Sequence, residues 1–136
     1  MSYLVDTNVV SELRKGPRCD ARVAAWFANA QDDELFLSVL VIGELQRGIE
    51  QVRRRDARSA AALGRWLGQI TRAYGDRILP ITLPIARRWG TLGTPDPIPT
   101  VDGLLAATAL HHDLVLVTRN VKDVARTGAQ LLNPFS

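Results

Sequence analysis

The sequence is poor in the residues and apolar runs on which several classes of protein depend. Its single cysteine, Cys19, excludes an intrachain disulfide and a zinc site built from several cysteines. No apolar run approaches the ~20 residues of a membrane span. The first residues also lack the basic start and apolar stretch of a signal peptide. We therefore expect a cytoplasmic protein that does not enter a membrane.

Motifs that would provide a protein nucleophile or a nucleotide site are also missing. His111 and His112 have no partner at a recognisable metal-ligand spacing. They end a predicted helix, where a positive charge interacts well with the helix dipole. No serine lies in a nucleophile elbow, and no glycine pattern matches a phosphate-binding loop or a dinucleotide fingerprint. The sequence thus offers no nucleophile of its own.

The remaining composition is that of one ordinary globular domain. With 136 residues, 46% of them hydrophobic and 23% charged, residues 1–136 are expected to form a single domain. Short apolar runs alternate with helical patterns, which predicts an α/β protein: a three-layer α/β/α domain with a small, mainly parallel central sheet. Strands are predicted at 3–5, 34–38, 77–81, 114–118 and 130–133, and helices at 20–30, 39–54, 56–74, 83–92 and 101–112.

Several single residues refine this prediction. Thr7 or Asn8 is expected to cap a first helix that follows the first strand. Pro80 indicates that strand 77–81 lies at an edge of the sheet or ends there. Three tryptophans on amphipathic patterns are expected in the core: Trp26, Trp66 and Trp89.

Four acidic residues that are far apart in the sequence fall at or near predicted strand ends. Asp6 directly follows the first strand, and Asp123 lies shortly after strand 114–118. Glu44 lies about a turn and a half into the helix that follows strand 34–38, and Asp102 lies in the first turn of its helix. Because ligands of open α/β sheets bind at the carboxyl ends of the strands, we expect the four side chains to face one site.

Carboxylates gathered at one sheet edge indicate a metal ion. They repel each other, so each resists ionising unless a cation lies among them. Oxygen ligands in this number suit Mg²⁺ or Mn²⁺ and suit Zn²⁺ poorly, which predicts metal-dependent phosphoryl chemistry. Each acid also has an ordinary explanation, which the residues alone leave open: a helix cap for Asp6, a solvated helix charge for Glu44, a partner of the helix dipole for Asp102 and a surface acid for Asp123.

The charge balance is compatible with a nucleic-acid substrate without deciding for it. Seventeen Lys and Arg residues stand against 14 Asp and Glu residues, for a net charge of +3. If a metal neutralises four of the acids, the rest of the surface is distinctly basic and suited to a polyanion. Simple solubility explains the same balance equally well.

Four segments resemble one known family. LVDTNVVSEL, SVLVIGELQRGIE, VDGLLAATALHHDLVLVTRN and the closing LLNPF are similar to PIN-domain proteins of the VapC or FitB-like toxin type, from the first strand to the C-terminus. The resemblance implies a metal-dependent endoribonuclease, the toxin of a type II toxin–antitoxin system, which cleaves RNA and is inhibited by a cognate antitoxin. It also implies a homodimer that assembles with the antitoxin into a hetero-oligomer.

The resemblance also implies roles for individual residues. Asp6, Glu44 and Asp102 match the three principal metal-binding acids of the family. Some relatives carry a fourth acid where Asn120 stands, so we interpret Asp123 as the fourth carboxylate and Asn120 as a neutral ligand or a group that orients water. A polar residue of the same motif is matched here: Thr118. A metal at such a site lowers the pKa of a bound water and aligns an in-line attack on phosphorus.

Two other functions and one partner surface complete the expectations. A catalytically inactive PIN-fold module that binds nucleic acid or a partner is the first alternative. The second, a haloacid-dehalogenase-like phosphatase, needs an aspartate two residues after Asp6, where Asn8 stands. The apolar faces of helices 39–54 and 56–74 are expected to receive an antitoxin segment, which would offer a basic side chain to the carboxylates.

Overall fold

Five short strands form one sheet in which every pair of neighbours is parallel. The computed structural model describes residues 1–136, with strands β1 (Tyr3–Val5), β2 (Leu35–Ser38), β3 (Ile78–Leu79), β4 (Val115–Val117) and β5 (Leu131–Leu132). Their order in the sheet is β3-β2-β1-β4-β5, and all four pairings are parallel. The predicted, mainly parallel sheet is therefore wholly parallel, and all its carboxyl ends lie along one edge.

Seven helices flank the sheet, which confirms the α/β prediction. They are α1 (Thr7–Leu13), α2 (Ala21–Asn29), α3 (Val39–Arg53), α4 (Ala57–Tyr74), α5 (Leu83–Leu92), α6 (Thr100–His112) and α7 (Val121–Val124). Helices α1 to α4 contact one another, with α3 against β2. Helices α5 to α7 form a second group, in which α6 packs on β1 and β4. No helix is long and apolar enough to cross a membrane.

All of the predicted strands and helices are present; β1 has the predicted bounds, and the other four strands are shorter than predicted. The strand predicted over 77–81 covers only Ile78–Leu79, and it lies at the edge of the sheet, as Pro80 indicated. One helix, α7, was not predicted, because four residues are too few to establish a helical period. This difference matters for the site, since α7 carries Asp123.

The core lies on both faces of the central strands. Leu4 of β1, Leu37 of β2 and Val117 of β4 are fully buried. Helix α6 approaches the sheet closely because its buried positions are mostly small, with Ala106 and Ala109 among them. The hydrophobic burial of these side chains holds the sheet edge in place.

The tryptophans follow the prediction only in part. Trp26 and Trp66 are half-buried and pack against the core, Trp26 with its ring edge-on to Tyr3. Trp89 was expected in the core as well, but 39% of it is exposed. Its indole lies over the first turn of α6, where a Cβ on Gly103 would come within 3.0 Å of the ring. Glycine at position 103 therefore allows the close contact between α5 and α6.

The cap of α1 differs from the prediction. Asp6, rather than Thr7 or Asn8, is the N-cap: its backbone is extended and its side chain accepts a hydrogen bond from the Thr7 N–H. The physical reason is the very short connection, since β1 ends at Val5 and α1 begins at Thr7. The side chains of Thr7 and Asn8 are consequently free for contacts with other elements.

Candidate functional site

Asp6 is the most buried acid at the carboxyl edge of the sheet. Only 5% of the residue is exposed, and three donors surround its carboxylate. The Thr7 N–H donates to Oδ1 at 2.6 Å. The Thr118 hydroxyl donates to Oδ2 at 2.7 Å, and the Asn8 amide lies 3.4 Å from the same oxygen. Burial raises the pKa of Asp6, the bonds from Thr118 and Thr7 lower it, and the charge of Glu44 raises it again.

Glu44 is tied to the same strand end through Thr7. The Thr7 hydroxyl donates to Glu44 Oε1 at 2.5 Å, which links the first turn of α1 to α3. Glu44 is half-buried, as its apolar neighbours on α3 require. Two adjacent residues after β1 therefore position two carboxylates. Asp6 carries the first, and Thr7 holds the second, which belongs to Glu44 on α3.

Asp102 lies in the first turn of α6, and the charges of the other three acids act on its carboxyl group. Its pKa is raised first by burial, and then by the charges of Asp6 and Asp123; Asn120 lowers it by hydrogen bonding, and the charge of Glu44 raises it. These influences come from four different elements. The charges of the other three predicted acids therefore all act on Asp102.

The loop after β4 completes this region. The hydroxyl of Thr118, which is buried, donates to Asp6 and accepts the Asn120 N–H at 3.0 Å. Asn120 itself is exposed and faces Asp102. Asp123, on α7, is exposed and acts on Asp102 through its charge. Asn120 and Asp123 therefore both lie beside Asp102, one as a neutral group and one as a charge.

Asn8 belongs to this network, although the sequence suggested for it only a capping role. Its amide nitrogen lies 3.4 Å from Asp6 Oδ2 and 3.5 Å from the Thr118 hydroxyl. Its amide oxygen accepts the Arg119 N–H at 3.2 Å. Asn8 thus connects the end of β1 to the loop after β4. The only signal in the sequence was its place two residues after Asp6, which does not reveal contacts with a strand more than 100 residues away.

The donor set suits a hard divalent cation, but the ligands are not drawn together. None of the four acids forms an ion pair with a basic side chain, so their negative charge is uncompensated by the protein. Carboxylate and amide oxygens are the donors that Mg²⁺ and Mn²⁺ prefer. At the same time, no three carboxylate, imidazole or thiol side chains lie close enough to hold a metal ion as they stand. The site fits a metal in chemistry and charge, without a preassembled coordination shell.

A shallow cleft opens beside these acids. It has a volume of about 290 Å³ and lies between the first turns of α3 and α6. Its walls include Glu44, Arg47 and Val101, the residue before Asp102. The cleft is open to solvent and carries one basic and one acidic side chain. An extended polyanion could approach the carboxylates from this side.

The fold and the site define a class: a small α/β/α domain with a cluster of unpaired acids at the carboxyl edge of a parallel sheet. The family model described as "PIN domain" matches residues 3–129. The chain therefore belongs to the PIN-domain family, as the sequence motifs indicated.

Individual relatives agree with this membership. The chain is 30% identical to "VapC ribonuclease Y4jK" of Sinorhizobium fredii, over 97% of this chain and 96% of that protein. Among solved structures, the crystal structure of FitAcB from Neisseria gonorrhoeae superposes with a TM-score of 0.89, at 29% identity and with 98% of each chain covered. A toxin–antitoxin complex from Klebsiella pneumoniae superposes with a TM-score of 0.68, at 25% identity and with 99% of each chain covered. The resemblance to PIN-domain toxins of the VapC and FitB-like type is thereby confirmed.

Proposed function

We propose that the chain is an Mg²⁺- or Mn²⁺-dependent endoribonuclease that acts as the toxin of a type II toxin–antitoxin system in the cytoplasm. The observation that carries the proposal is the set of four acids at the carboxyl edge, none of them paired with a base and one of them, Asp102, with its pKa raised by burial and by the other three. Relatives named as a ribonuclease and as a toxin–antitoxin complex support the same reading.

In this proposal, Asp6, Glu44, Asp102 and Asp123 hold the metal. A divalent ion among these acids would supply a water of lowered pKa and positive charge for the phosphodiester. The chain's own residues orient the acids. The Thr118 hydroxyl and the Thr7 N–H fix the two oxygens of Asp6, and the Thr7 hydroxyl holds Glu44. Asn120, beside Asp102, is suited to orient a water molecule or to act as a neutral ligand.

Cleavage of RNA with and without metal tests the enzymatic part of the proposal. The purified protein should cleave a single-stranded RNA with added Mg²⁺ or Mn²⁺ and not in EDTA. Asp6→Ala and Asp102→Ala should each lower kcat by at least about 100-fold, because each removes charge from the reacting centre. Asp33→Ala is the matched control, since Asp33 is an exposed carboxylate that precedes β2 at the opposite edge of the sheet.

Two outcomes would contradict the assignment. Full activity in EDTA, or wild-type rates in both site variants, would exclude metal-dependent cleavage by these acids. Tight RNA binding without cleavage under any metal would favour the catalytically inactive PIN-fold module. The haloacid-dehalogenase-like phosphatase is disfavoured here as well, because Asn8 contributes its amide to Asp6 and Thr118 instead of a second carboxylate.

The toxin role requires a protein partner, for which an apolar groove offers a place. The groove has a volume of about 270 Å³ and lies between α1, α2 and α4, with Leu13, Phe27 and Ile70 among its lining residues. Helix α3, which the sequence also suggested for this surface, does not line it, and the groove reaches the amino end of β2, opposite to the end at which the acids lie. In the proposal it receives an antitoxin segment, while two copies of the chain form a homodimer within a toxin–antitoxin hetero-oligomer. Helix α4 contributes less free apolar surface than the sequence suggested, since Leu67 is buried and Leu63, Trp66 and Ile70 pack partly against the core.

Growth experiments test the toxin role separately from the nuclease activity. Expression of the chain alone should arrest growth, and co-expression with the product of a neighbouring short reading frame should restore it. Asp102→Ala, which keeps the groove intact, should abolish the arrest but still bind that product. An active ribonuclease that is harmless on expression would retain the enzymatic assignment and refute the toxin role.

A further inference from the structure

Arg119 is held against an aromatic ring at the rim of the acidic site. Its guanidinium carbon lies 3.7 Å from the centre of the Phe135 ring, a cation–π contact at van der Waals distance. Its backbone N–H donates to Asn8 Oδ1, and its neighbours on either side, Thr118 and Asn120, reach Asp6 and Asp102. The backbone of Arg119 is therefore held beside the network of Asp6, and its side chain is fixed on Phe135.

The closing segment LLNPF builds the platform for this contact. Strand β5 ends at Leu132, whose carbonyl accepts the Thr118 N–H at 3.0 Å. The Asn133 side chain then accepts the Phe135 N–H at 3.0 Å and turns the chain back. Phe135 is only 7% exposed, so one face of its ring packs in the core while Arg119 covers it from outside. The motif thus places an aromatic face beside the carboxyl end of β4.

The side chain of Arg119 has no carboxylate partner. Three of the other arginines are paired: Arg22 with Asp20, Arg53 with Glu50 and Arg126 with Asp96. The stacked guanidinium of Arg119 is exposed and makes no ion pair. Because its N–H donors lie in the plane of the group, stacking on one face leaves them free at the edge for a planar or tetrahedral anion.

We propose that Arg119, stacked on Phe135, binds the non-bridging oxygens of a substrate phosphate next to the one that is cut. The proposal rests on the proposed ribonuclease function, which supplies the phosphodiester. It gives the RNA a defined path, in which one phosphate reaches the acids and its neighbour meets Arg119, which lies between Thr118 and Asn120 in the loop after β4. Arginine suits this role better than lysine because its fork contacts two phosphate oxygens at once.

Binding of a short, fluorescein-labelled single-stranded RNA in EDTA, measured by anisotropy over a series of NaCl concentrations, tests this site without cleavage. Arg119→Ala should raise Kd roughly 10- to 100-fold, as expected for the loss of a hydrogen-bonded charge contact. It should also reduce the slope of log K against log salt by about 0.7, the value for one phosphate contact with a single strand. In Mg²⁺ or Mn²⁺, the same variant should raise KM more than it lowers kcat.

Three further variants separate a phosphate contact from a structural role. Arg18→Ala removes the same charge from an exposed arginine without a side-chain partner between α1 and α2, and should leave the salt slope unchanged. Arg119→Lys should restore the slope but only part of the affinity. Phe135→Leu should keep the slope and raise Kd roughly two- to fivefold, because the platform is lost.

The outcomes are decisive in both directions. If Arg119→Ala lowers only the melting temperature, with Kd, slope and KM equal to those of Arg18→Ala, Arg119 merely covers Phe135 and the proposal is overturned. An unchanged Kd in Phe135→Leu would overturn the role of the ring. If the wild type fails to cut RNA with either metal but Arg119→Ala still weakens RNA binding as described, the nuclease function fails while the phosphate site stands.

Discussion

Replacing Asp102 with asparagine should stabilise the metal-free protein at neutral pH. The pKa of Asp102 is raised by burial and by the charges of Asp6 and Asp123. An acid whose pKa is raised on folding contributes stability that is fully present below its unfolded pKa and is lost as the pH rises through its folded pKa. The wild type loses that contribution as the pH rises through the pKa of Asp102, whereas asparagine, with nearly the same shape and no charge, keeps it.

Two electrostatic effects of opposite sign set the size of this change. At an effective dielectric constant of ~20, two unit charges repel by roughly 4 kcal/mol at about 4 Å and by roughly half as much at twice that distance. The dipole of α6 acts the other way, because Asp102 lies in its first turn, and is worth about 0.3–1 kcal/mol. Solvent screens the partly exposed side chain further. We expect a net gain on the order of 1 kcal/mol, or roughly 4 °C in Tm for a domain of this size.

Added metal, in contrast, should stabilise the Asp102→Asn variant less than it stabilises the wild type. For the wild type, Mn²⁺ at about a hundred times its Kd adds ~2.7 kcal/mol of stability, or roughly 10 °C in Tm. If Asp102→Asn raises Kd about a hundredfold, the same Mn²⁺ concentration is close to the new Kd. The stabilisation then falls to ~0.4 kcal/mol, or only ~1–2 °C.

Thermal melts followed by circular dichroism, at pH 7 and below pH ~4, with EDTA or Mn²⁺, measure both effects. The difference in Tm between the wild type and the variant in EDTA should disappear at the low pH, where the protonated Asp102 is as neutral as the asparagine that replaces it. A variant that melts below the wild type in EDTA at pH 7 would show that Asp102 mainly serves the helix dipole. A full Mn²⁺ shift in the variant would show that Asp102 is not a metal ligand. Asp33→Asn is the matched control.

Four other substitutions have defined outcomes. Asn8→Ala should lower kcat roughly 10- to 100-fold without preventing folding, as is typical when a residue that orients a ligand is lost; an unchanged kcat would remove Asn8 from the site. Asp123→Ala should impair RNA cleavage more than Asn120→Ala does, and the reverse order in the same assay would assign the fourth position to Asn120. Asp113→Gly should raise Tm by about 2–4 °C at unchanged activity, because Asp113 ends α6 with a φ of 56° that favours glycine; a lower Tm would contradict this.

The sequence was sufficient to predict the architecture and the edge on which the acids lie. Runs such as that of β4 are apolar at every position, which is typical of a buried parallel strand and needs no knowledge of neighbours. Asp6 could be placed at the carboxyl end of β1 for the same local reason. Helix limits were predicted to within one or two residues because breakers and caps, such as Pro84 in the first turn of α5, act locally.

The sequence was insufficient where a side chain has a choice between local and distant partners. Thr7 and Asn8 are both good capping residues by type, yet each uses its side chain on another element, Glu44 in one case and the loop after β4 in the other. That choice depends on β4 lying beside β1, which is decided by how the helices cover the sheet. The contact of Arg119 with Phe135 depends in the same way on β5 lying next to β4.

The strand order also explains why Asp6 is stabilised without a basic side chain that would neutralise its charge. Because β1 is central and β4 is its neighbour, the hydroxyl of Thr118 reaches Asp6 and replaces part of the water that burial removes. A neutral donor can stabilise a buried carboxylate without neutralising it, whereas an arginine or lysine at that place would fill the site with a permanent cation. The basic side chain nearest in sequence, Arg119, is instead turned onto Phe135. The fold thus leaves Asp6 and Asp102 without a basic partner, as the proposed metal site requires, and holds Arg119 on Phe135, as the proposed phosphate contact requires.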